Sequence, residues 1–371
     1  MNKIKLGDVL EVKRGMSLPG EYYATEGDYI RLTLGNFNYP SCGWKKNVLK
    51  DNLFFTGNVR DEYILKKGDI ITPLTEQVRG LLGNTATIPE DALYIQSGDI
   101  GLIIPDETKL DKRFSYYLVS SSVVKKQLDA RSQQTKIRHT SPEAIKDCVA
   151  FIPIIKEQKK ISYLLDCINK KIENNNAIND NLQQQLCLIY ENMMCKAQYG
   201  NIEGTFTVAS KLTDVVTGKE DANFASPNGK YKFFTCSNDT LNCDEYVFDS
   251  SAILIAGNGD FNVKHYSGKF NAYQRTYVLI PDHQYYGLLY FASLYQINSF
   301  KSASSGSIVK FITKGDIENI PVFIPNDEHI LNELNRLLAL QEKNQAENEQ
   351  LSSLRDWLLP MLMNGQASIS D

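Results

Sequence analysis

The stretch "IKDCVAFIP", Ile145–Pro153, decides the fold of this chain, because a close copy, "IENIPVFIP", occupies Ile317–Pro325. The offset of 172 residues continues downstream and aligns Leu182, Leu186, Ile189 and Asn192 with Leu354, Leu358, Met361 and Asn364. A second similarity lies upstream, where "KLGDVLEVKRG" (Lys5–Gly15) resembles "KLTDVVTGK" (Lys211–Lys219) at an offset of 206 residues. Two matched ends with different offsets indicate a tandem duplication whose middle differs in length between the copies.

Each copy of the repeated stretch precedes a long helical pattern. After Pro153, spacings of four and three alternate through Ile161, Leu165, Ile168, Ile172, Asn175, Asn179, Leu182, Leu186, Ile189 and Met193. After Pro325, the same rhythm runs through Ile330, Leu334, Leu337, Gln341, Asn344, Asn348 and Leu351, and then shifts to Leu354, Leu358 and Met361. These spacings are typical of a two-stranded coiled coil. Because a helix with a single apolar stripe is not stable alone in water, we expect the two helices to pack on each other.

Asparagines interrupt the seam of both helices. If the helices are antiparallel and Asn175 faces Asn348, opposed residue numbers sum to 523, so that Asn179 faces Asn344. The same register leaves two unlike pairs, Ile168 with Arg355 and Leu182 with Gln341. We expect both long polar side chains to extend to the edge of the seam. Our hypothesis is that the four buried amides fix the register, which then sets the distance between the globular parts.

The segments outside the helices are rich in Tyr, Phe, Ile and Val with punctuating glycines, which favours short strands joined by loops. Shorter helices are predicted over Lys112–Ala130 and His283–Phe300. The predicted fold is α+β, with two similar domains of short strands and small helices, separated by two long helices that form an antiparallel coiled coil with an internal pseudo-twofold. The predicted parts are a first domain, 1–155, a first spacer helix, 156–200, a second domain, 201–326, and a second spacer helix with the C-terminal tail, 327–371.

Composition narrows the class of protein. The 371 residues contain no apolar run near the ~20 residues that a membrane span requires. The N-terminus resembles no export signal, and seven cysteines at irregular spacings are typical of reduced thiols, so we expect a cytoplasmic protein. There is no Cys-x-x-Cys motif and the four histidines are not at zinc-ligand spacing, which predicts no metal site.

The charge is unevenly distributed. The net charge is −4, yet residues 109–140 carry eight basic against two acidic side chains, and residues 264–314 carry six against one. Two basic stretches at corresponding places of a repeat are compatible with nucleic-acid binding in an otherwise acidic chain.

Catalytic motifs are not evident. "GNGDFN" (Gly257–Asn262) lacks the third glycine of a dinucleotide-binding loop, and "PDETK" (Pro105–Lys109) has its carboxylates too close together for a nuclease metal site. The chain has neither a Phe-x-Gly-x-Gly cofactor loop nor an Asn-Pro-Pro-Tyr loop of an amino-methyltransferase. We therefore predict that the chain is not an enzyme.

Two pairs of loops are the candidate binding elements. "TEQVRGLLGN" (Thr75–Asn84) and "GNGDFNVKHYSGKFNAYQR" (Gly257–Arg275) are predicted as loops after corresponding strands. Their side chains that can form hydrogen bonds to base edges are Gln77, Arg79, Lys264, His265, Lys269, Gln274 and Arg275. "RSQQTKIRHTS" (Arg131–Ser141) and "KSASSGSIVKF" (Lys301–Phe311) form the second pair. Their basic side chains suited to phosphate contacts are Arg131, Lys136, Arg138 and Lys310.

With these motifs the whole chain resembles a DNA-specificity subunit of a type I restriction-modification system. Besides Lys5–Gly15, the resemblance rests on "KKGDII" (Lys66–Ile71), "TKIRHTSPEAIKDCVAFIPIIKEQKKI" (Thr135–Ile161) and "LSSLRDWLLPMLMNGQ" (Leu351–Gln366). "EQKKI" opens the first long helix as it does in this family, whereas the second copy, "DEHIL" (Asp327–Leu331), lacks the glutamine.

The resemblance implies a subunit without a catalytic site. Each of the two domains would recognise one half of a bipartite double-stranded DNA target, and the helical pair would set their spacing. The implied partners are two modification (methyltransferase) subunits and restriction (motor-nuclease) subunits. S-adenosylmethionine, ATP and Mg²⁺ are expected on these partners, and no cofactor is expected on this chain.

Two other functions remain open from the residues alone. The chain could be the recognition part of a fused restriction enzyme and methyltransferase, which methyl transfer by the isolated chain would reveal. It could instead be a coiled-coil scaffold that binds proteins. Binding that is insensitive to salt and has no preference for DNA would support the scaffold.

Overall fold

The chain divides into a first unit, Met1–Lys171 with Gln350–Asp371, and a second unit, Ile172–Glu349. The structure is a computed structural model and describes residues 3–39, 41–48, 50–131, 138–259, 261–303, 311–363 and 365–369. Each unit combines one globular part with portions of both long helices, whereas the predicted four-part division assigns the helices to parts of their own.

Short strands build the globular part of the first unit. They are β1 (Lys3–Lys5), β2 (Leu10–Arg14), β3 (Tyr23–Ala24), β4 (Tyr29–Arg31), β5 (Phe54–Phe55), β6 (Ile70–Pro73), β7 (Thr75–Glu76), β8 (Ala86–Thr87), β9 (Tyr94–Ile95), β10 (Ile100–Pro105), β11 (Arg138–His139) and β12 (Val149–Phe151). Two sheets of four strands have the orders β2-β10-β6-β8 and β3-β5-β4-β9, and β1 pairs with β12 and β7 with β11. The repeated stretch Ile145–Pro153 therefore ends in a strand, β12, that pairs with the N-terminal strand of the chain.

The helices of the first unit are α1 (Lys112–Val119), α2 (Ser122–Arg131), α3 (Pro142–Lys146) and the first part of α4 (Ile155–Gln198). The single helix predicted over Lys112–Ala130 is wrong, because it is broken at Ser120 and Ser121. Both serine hydroxyls donate to carbonyls of the preceding turn, to Tyr116 O at 2.9 Å and Leu118 O at 2.7 Å respectively. Such local bonds compete with the helical ladder and end it.

Eight strands form the sheet framework of the second unit among its described residues. They are β13 (Gly204–Val208), β14 (Val215–Thr217), β15 (Tyr231–Phe234), β16 (Leu241–Cys243), β17 (Phe248–Ala256), β18 (Val263–Ala272), β19 (Thr276–Leu279) and β20 (Pro321–Pro325). Six of them form a sheet in the order β14-β19-β17-β18-β15-β16, and β13 pairs with β20. The interpretation of Gly257–Arg275 as one loop is wrong, since β18 is an internal strand. It forms an antiparallel ladder with β17 and a parallel one with β15.

The helices of the second unit are α5 (Tyr286–Ala303), α6 (Lys314–Glu318) and α7 (Glu328–Met363), whose C-terminal end belongs to the first unit. A 3₁₀ turn, His283–Tyr285, precedes α5, so the helix predicted over His283–Phe300 is confirmed with a later start. On α5, Leu289 and Phe291 are fully buried and pack in one core with Ile253 and Ile255 of β17 and with Leu186 of α4. The second part of α4 is thus anchored to the sheet of this unit.

The predicted seam of α4 is the side that the structure buries. In the first unit, Ile161 and Leu165 lie in one core with Leu362 of α7, as the register with the sum 523 predicts for Ile161. Of the positions to which the predicted seam shifts, Leu354 is 43% exposed, so its place in the seam is wrong, whereas Leu358 packs against the same core.

Candidate nucleic-acid interface

A buried carboxylate organises the loop that follows β7. Glu76 is 2% exposed, and its Oε2 accepts hydrogen bonds from the backbone N–H groups of Gly80, Leu81 and Leu82 at 3.0, 2.8 and 2.9 Å. Gly80 has φ +102°, a conformation that glycine adopts without strain. We call residues 77–82 the first recognition loop. Its backbone is folded around one side chain.

Two arginines and a second carboxylate extend this network. Arg138 of β11 forms ion pairs with Glu76 Oε1 at 2.8 Å and with Asp129 at 2.7 Å, and Asp129 also pairs with Arg79 at 2.7 Å. Hydrogen bonds from Arg79 and Arg138 lower the pKa of Asp129 from 3.8 to about 2. The side chain of Arg138 is only 16% exposed, whereas that of Arg79 is 78% exposed. Of the two, Arg79 is therefore the arginine that solvent and a ligand can reach.

The other residues predicted for the first domain lie at different places. Gln77 is exposed on the first recognition loop. Arg131 donates to the carbonyls of Ala144 and Asp147 at 3.2 and 3.3 Å, at the C-terminus of α3, where a cation is favourable. Lys136 lies outside the described residues. The structure thus brings Gln77, Arg79 and Arg138 together and places Arg131 on a helix end. Their contacts with DNA stay predictions.

Three of the residues predicted for the second domain are on β18 and have partners within the protein. Lys264 Nζ donates to the carbonyl of Ser237, and burial lowers the pKa of this lysine. His265 Nδ1 lies 2.8 Å from Glu342 Oε1 of α7, and its ring packs edge-on against Tyr290 of α5 at 4.7 Å between centroids. Lys269 pairs with Asp249 at 3.9 Å and lies over the ring of Tyr246 at 4.7 Å. His265 therefore connects the sheet to two helices of its unit.

Two more of the predicted residues lie on an exposed turn. Gln274 and Arg275 are both exposed between β18 and β19. The carbonyl of Arg275 accepts from Gly257 N at 2.9 Å, and Gly257 O accepts from Ile312 N at 2.8 Å. These bonds place the turn beside Phe311, which is 62% exposed. Lys310, the other predicted residue, lies outside the described residues.

The same backbone hydrogen bond occurs at corresponding positions of the two units. In the first unit Thr140 N donates to Leu74 O at 2.8 Å, as Ile312 N does to Gly257 O in the second. The residue before each donor is exposed, His139 in one case and Phe311 in the other. Sequence reasoning missed both, although the offset of 172 aligns them. The alignment of His139 with Phe311 in the repeat was the sequence signal by which both could have been identified.

The seam asparagines form the predicted pairs. Asn175 Nδ2 donates to Asn348 Oδ1 at 2.9 Å, and Asn344 Nδ2 donates to Asn179 Oδ1 at 2.9 Å, so α4 and α7 are antiparallel in this unit. Gln341, expected at the edge of the seam, is instead 8% exposed and donates to the carbonyl of Asn179 at 2.9 Å. The pairing is confirmed, while its role in fixing the register stays a prediction.

Neither a metal site nor a membrane span is found in the described part of the chain. No group of three or more His, Cys, Asp or Glu side chains there is arranged to hold a metal ion. No helix there is both long and apolar enough to cross a membrane.

Comparison with known proteins gives one consistent group. The family model for the type I restriction modification DNA specificity domain matches residues 1–184 and 207–353. The type I restriction enzyme EcoDI specificity subunit of Escherichia coli is 40% identical over 163 residues, which cover 42% of this chain and 37% of that protein. The MjaVIII specificity subunit of Methanocaldococcus jannaschii is 25% identical over 174 residues, 46% of this chain and 40% of that protein. These matches span about two fifths of the curated relatives' length.

A solved structure has a similar fold over the full chain. The S subunit of a type I restriction-modification system from M. genitalium aligns with a TM-score of 0.63 at 16% identity, covering 100% of this chain and 96% of that one. At this identity the likeness concerns the fold, which includes both globular parts and both long helices.

Proposed function

The chain belongs to the family of type I restriction-modification DNA specificity domains, and on that premise we propose that it recognises a bipartite double-stranded DNA target. Each globular part recognises one half of the target. The chain has no catalytic role of its own and directs the methyltransferase and restriction subunits of a complex to the site.

One observation carries the proposal. In each unit the same hydrogen bond, Thr140 N to Leu74 O or Ile312 N to Gly257 O, closes a region where exposed polar side chains cluster. Gln77 and Arg79 in the first unit, and Gln274 and Arg275 in the second, are amide and guanidinium side chains of the kind that pair with adenine and guanine edges. Each unit presents one glutamine and one arginine, so the two half-sites would be distinguished by where each unit places these side chains.

The partners follow from this role. We propose that two modification subunits and the restriction subunits bind this chain, and that S-adenosylmethionine, ATP and Mg²⁺ are bound by those partners. The chain acts in the cytoplasm, where its DNA substrate is. The net charge of −4 favours short contact regions over a broad basic surface as the DNA interface.

The test is methylome sequencing of a host that carries this chain together with a modification subunit of a type I system that assembles with it. A single bipartite methylated motif that disappears when the chain is omitted supports the proposal. Methyl transfer by the isolated chain would instead support a fused enzyme. The salt dependence of binding provides a second measurement, because DNA contacts release counterions and make log K fall with log[salt]. Binding to proteins alone, without that slope, would support the scaffold.

A further inference from the structure

Glu76 has features that its place in the core does not explain. It is a carboxylate at 2% exposure, and burial of an ionised carboxylate is costly unless it is paired and hydrogen-bonded. Its close partners are three backbone N–H groups of the first recognition loop and the guanidinium of Arg138. The carboxylate is thus used to hold the backbone of a loop that is itself exposed.

The loop is held from a second side. The hydroxyl of Tyr39 donates to the carbonyl of Arg79 at 2.7 Å. Together, Tyr39 and Glu76 engage backbone groups of four consecutive residues, 79–82. The N–H groups of Gly80, Leu81 and Leu82 point to Glu76 and are therefore not offered to a phosphate. What the loop presents outward are the side chains of Gln77, Val78 and Arg79, of which Gln77 and Arg79 are polar.

We propose that Glu76 is a positioning residue for base recognition, which holds the first recognition loop in its DNA-binding conformation before DNA arrives. The inference rests on the proposed function. It adds which residue positions the loop that recognises one half-site. Preorganisation of this kind raises affinity and discrimination because the loop loses little conformational freedom on binding. Gln77 and Arg79 then meet base edges at fixed positions, where each bidentate pair discriminates against the wrong base.

The ion pair of Arg79 with Asp129 is compatible with this role. Asp129 is 39% exposed at its side chain and also pairs with Arg138. When Arg79 turns to a base or phosphate, Asp129 keeps Arg138 as its partner, so no carboxylate is left unpaired. Arg138 keeps Glu76 as well, so the buried part of the network persists while its exposed arginine changes partner.

The experiment uses the assembled complex of this chain with its modification subunit and a library of DNA targets randomised at the half-site that R79A alters. Glu76→Gln keeps the shape of the side chain but removes its charge. We expect discrimination at that half-site to fall about 10- to 100-fold, the value of one bidentate contact, with the other half-site unchanged. In the background of Q77A/R79A the same substitution should change discrimination no further, because the side chains through which it acts are gone.

Asp166→Asn is the matched control. Asp166 accepts hydrogen bonds from Arg113 at 2.6 Å and Tyr117 at 2.5 Å in the same unit, and removal of its charge should lower the melting temperature without changing discrimination. If E76Q does not fold, Tyr39→Phe removes the other anchor from a residue that is 48% exposed, and we expect the same relaxation from it.

The outcomes separate the two proposals. If E76Q, or Y39F in its place, lowers stability but keeps full discrimination, Glu76 is structural only and the inference is overturned. It is overturned equally if R79A and Q77A leave both half-sites unchanged. If the complex that contains the wild-type chain recognises no bipartite target, the proposed function itself fails.

Discussion

Asn175 of α4 donates a hydrogen bond to Asn348 of α7 at 2.9 Å, and the two side chains are only 1% and 6% exposed. Asn175 also donates to Glu347 Oε2, and Asn348 donates to Asn176 Oδ1, each at 2.8 Å. A polar contact in an apolar seam is satisfied in one alignment of the helices and broken in the shifted ones. The pair is therefore a means of selecting register at some cost in stability.

Single and complete replacement of these asparagines should have opposite effects. Asn175→Leu alone leaves the amide of Asn348 without one partner, and we expect the free energy of unfolding to fall by about 1–3 kcal/mol. Leucine at 175, 179, 344 and 348 together should raise the melting temperature and permit registers shifted by a heptad, which would widen the range of spacer lengths tolerated between half-sites. Thermal unfolding measures the first effect.

Cysteine crosslinking with peptide mapping measures the second. Leu186→Cys with Leu337→Cys reports the observed register, and Leu186→Cys with Ile330→Cys reports a shift of one heptad. Asn181→Leu, at an exposed position of α4, is the control. If the quadruple variant crosslinks only in the observed register, the asparagines do not determine it.

The acid sensitivity of the first recognition loop follows from Asp129. Its pKa is lowered from 3.8 to about 2 in the folded chain, so its contribution to stability is complete above about pH 4 and is lost as the pH falls towards 2. Asp129→Asn should remove this part of the pH dependence between pH 4 and 2, and Arg79→Ala should remove a share of it. Chemical unfolding at several pH values measures the slope. An unchanged slope in D129N would show that the ion pairs contribute nothing to folding.

The exposed turn of the second unit should determine the other half-site. The double substitution Q274A/R275A removes two exposed side chains, so stability should be nearly unchanged. Discrimination at one half of the methylated motif should fall by about 1–3 kcal/mol for each bidentate pair of hydrogen bonds to a base that the variant can no longer form. Methylome sequencing identifies the half that relaxes. Relaxation of both halves, or of neither, contradicts the assignment of this turn.

His265 should behave differently from Arg275. Its ring contacts Glu342 and Tyr290, and its side chain is only 17% exposed. His265→Ala should lower the free energy of unfolding by about 1–3 kcal/mol, because it removes a hydrogen bond between the sheet and a helix, while discrimination between targets is retained. Lys269→Ala, on the same strand but more exposed, is the control for stability, and its free energy of unfolding should change less than that of H265A. Loss of discrimination without loss of stability in H265A would return this residue to the DNA interface.

The sequence determined the features that repeat or have a period. The copies at Ile145–Pro153 and Ile317–Pro325 predicted two similar parts, and the 4-3 spacing predicted both long helices and the pairing of Asn175 with Asn348. These predictions succeeded because helical periodicity is local. A register between two helices depends only on counting along each of them.

Tertiary structure decided the features that depend on distant partners. Val263–Ala272 is a strand because β15 and β17 supply ladder partners on both sides, and its residue types alone favoured a loop. Glu76 is paired with Arg138, and His265 is bound to Glu342, because the fold brings together residues that are far apart in the sequence. Hydrogen bonds and burial are decided by such contacts. The sequence therefore indicated which residue types were available for the proposed recognition, and only the fold decided which of them remained exposed.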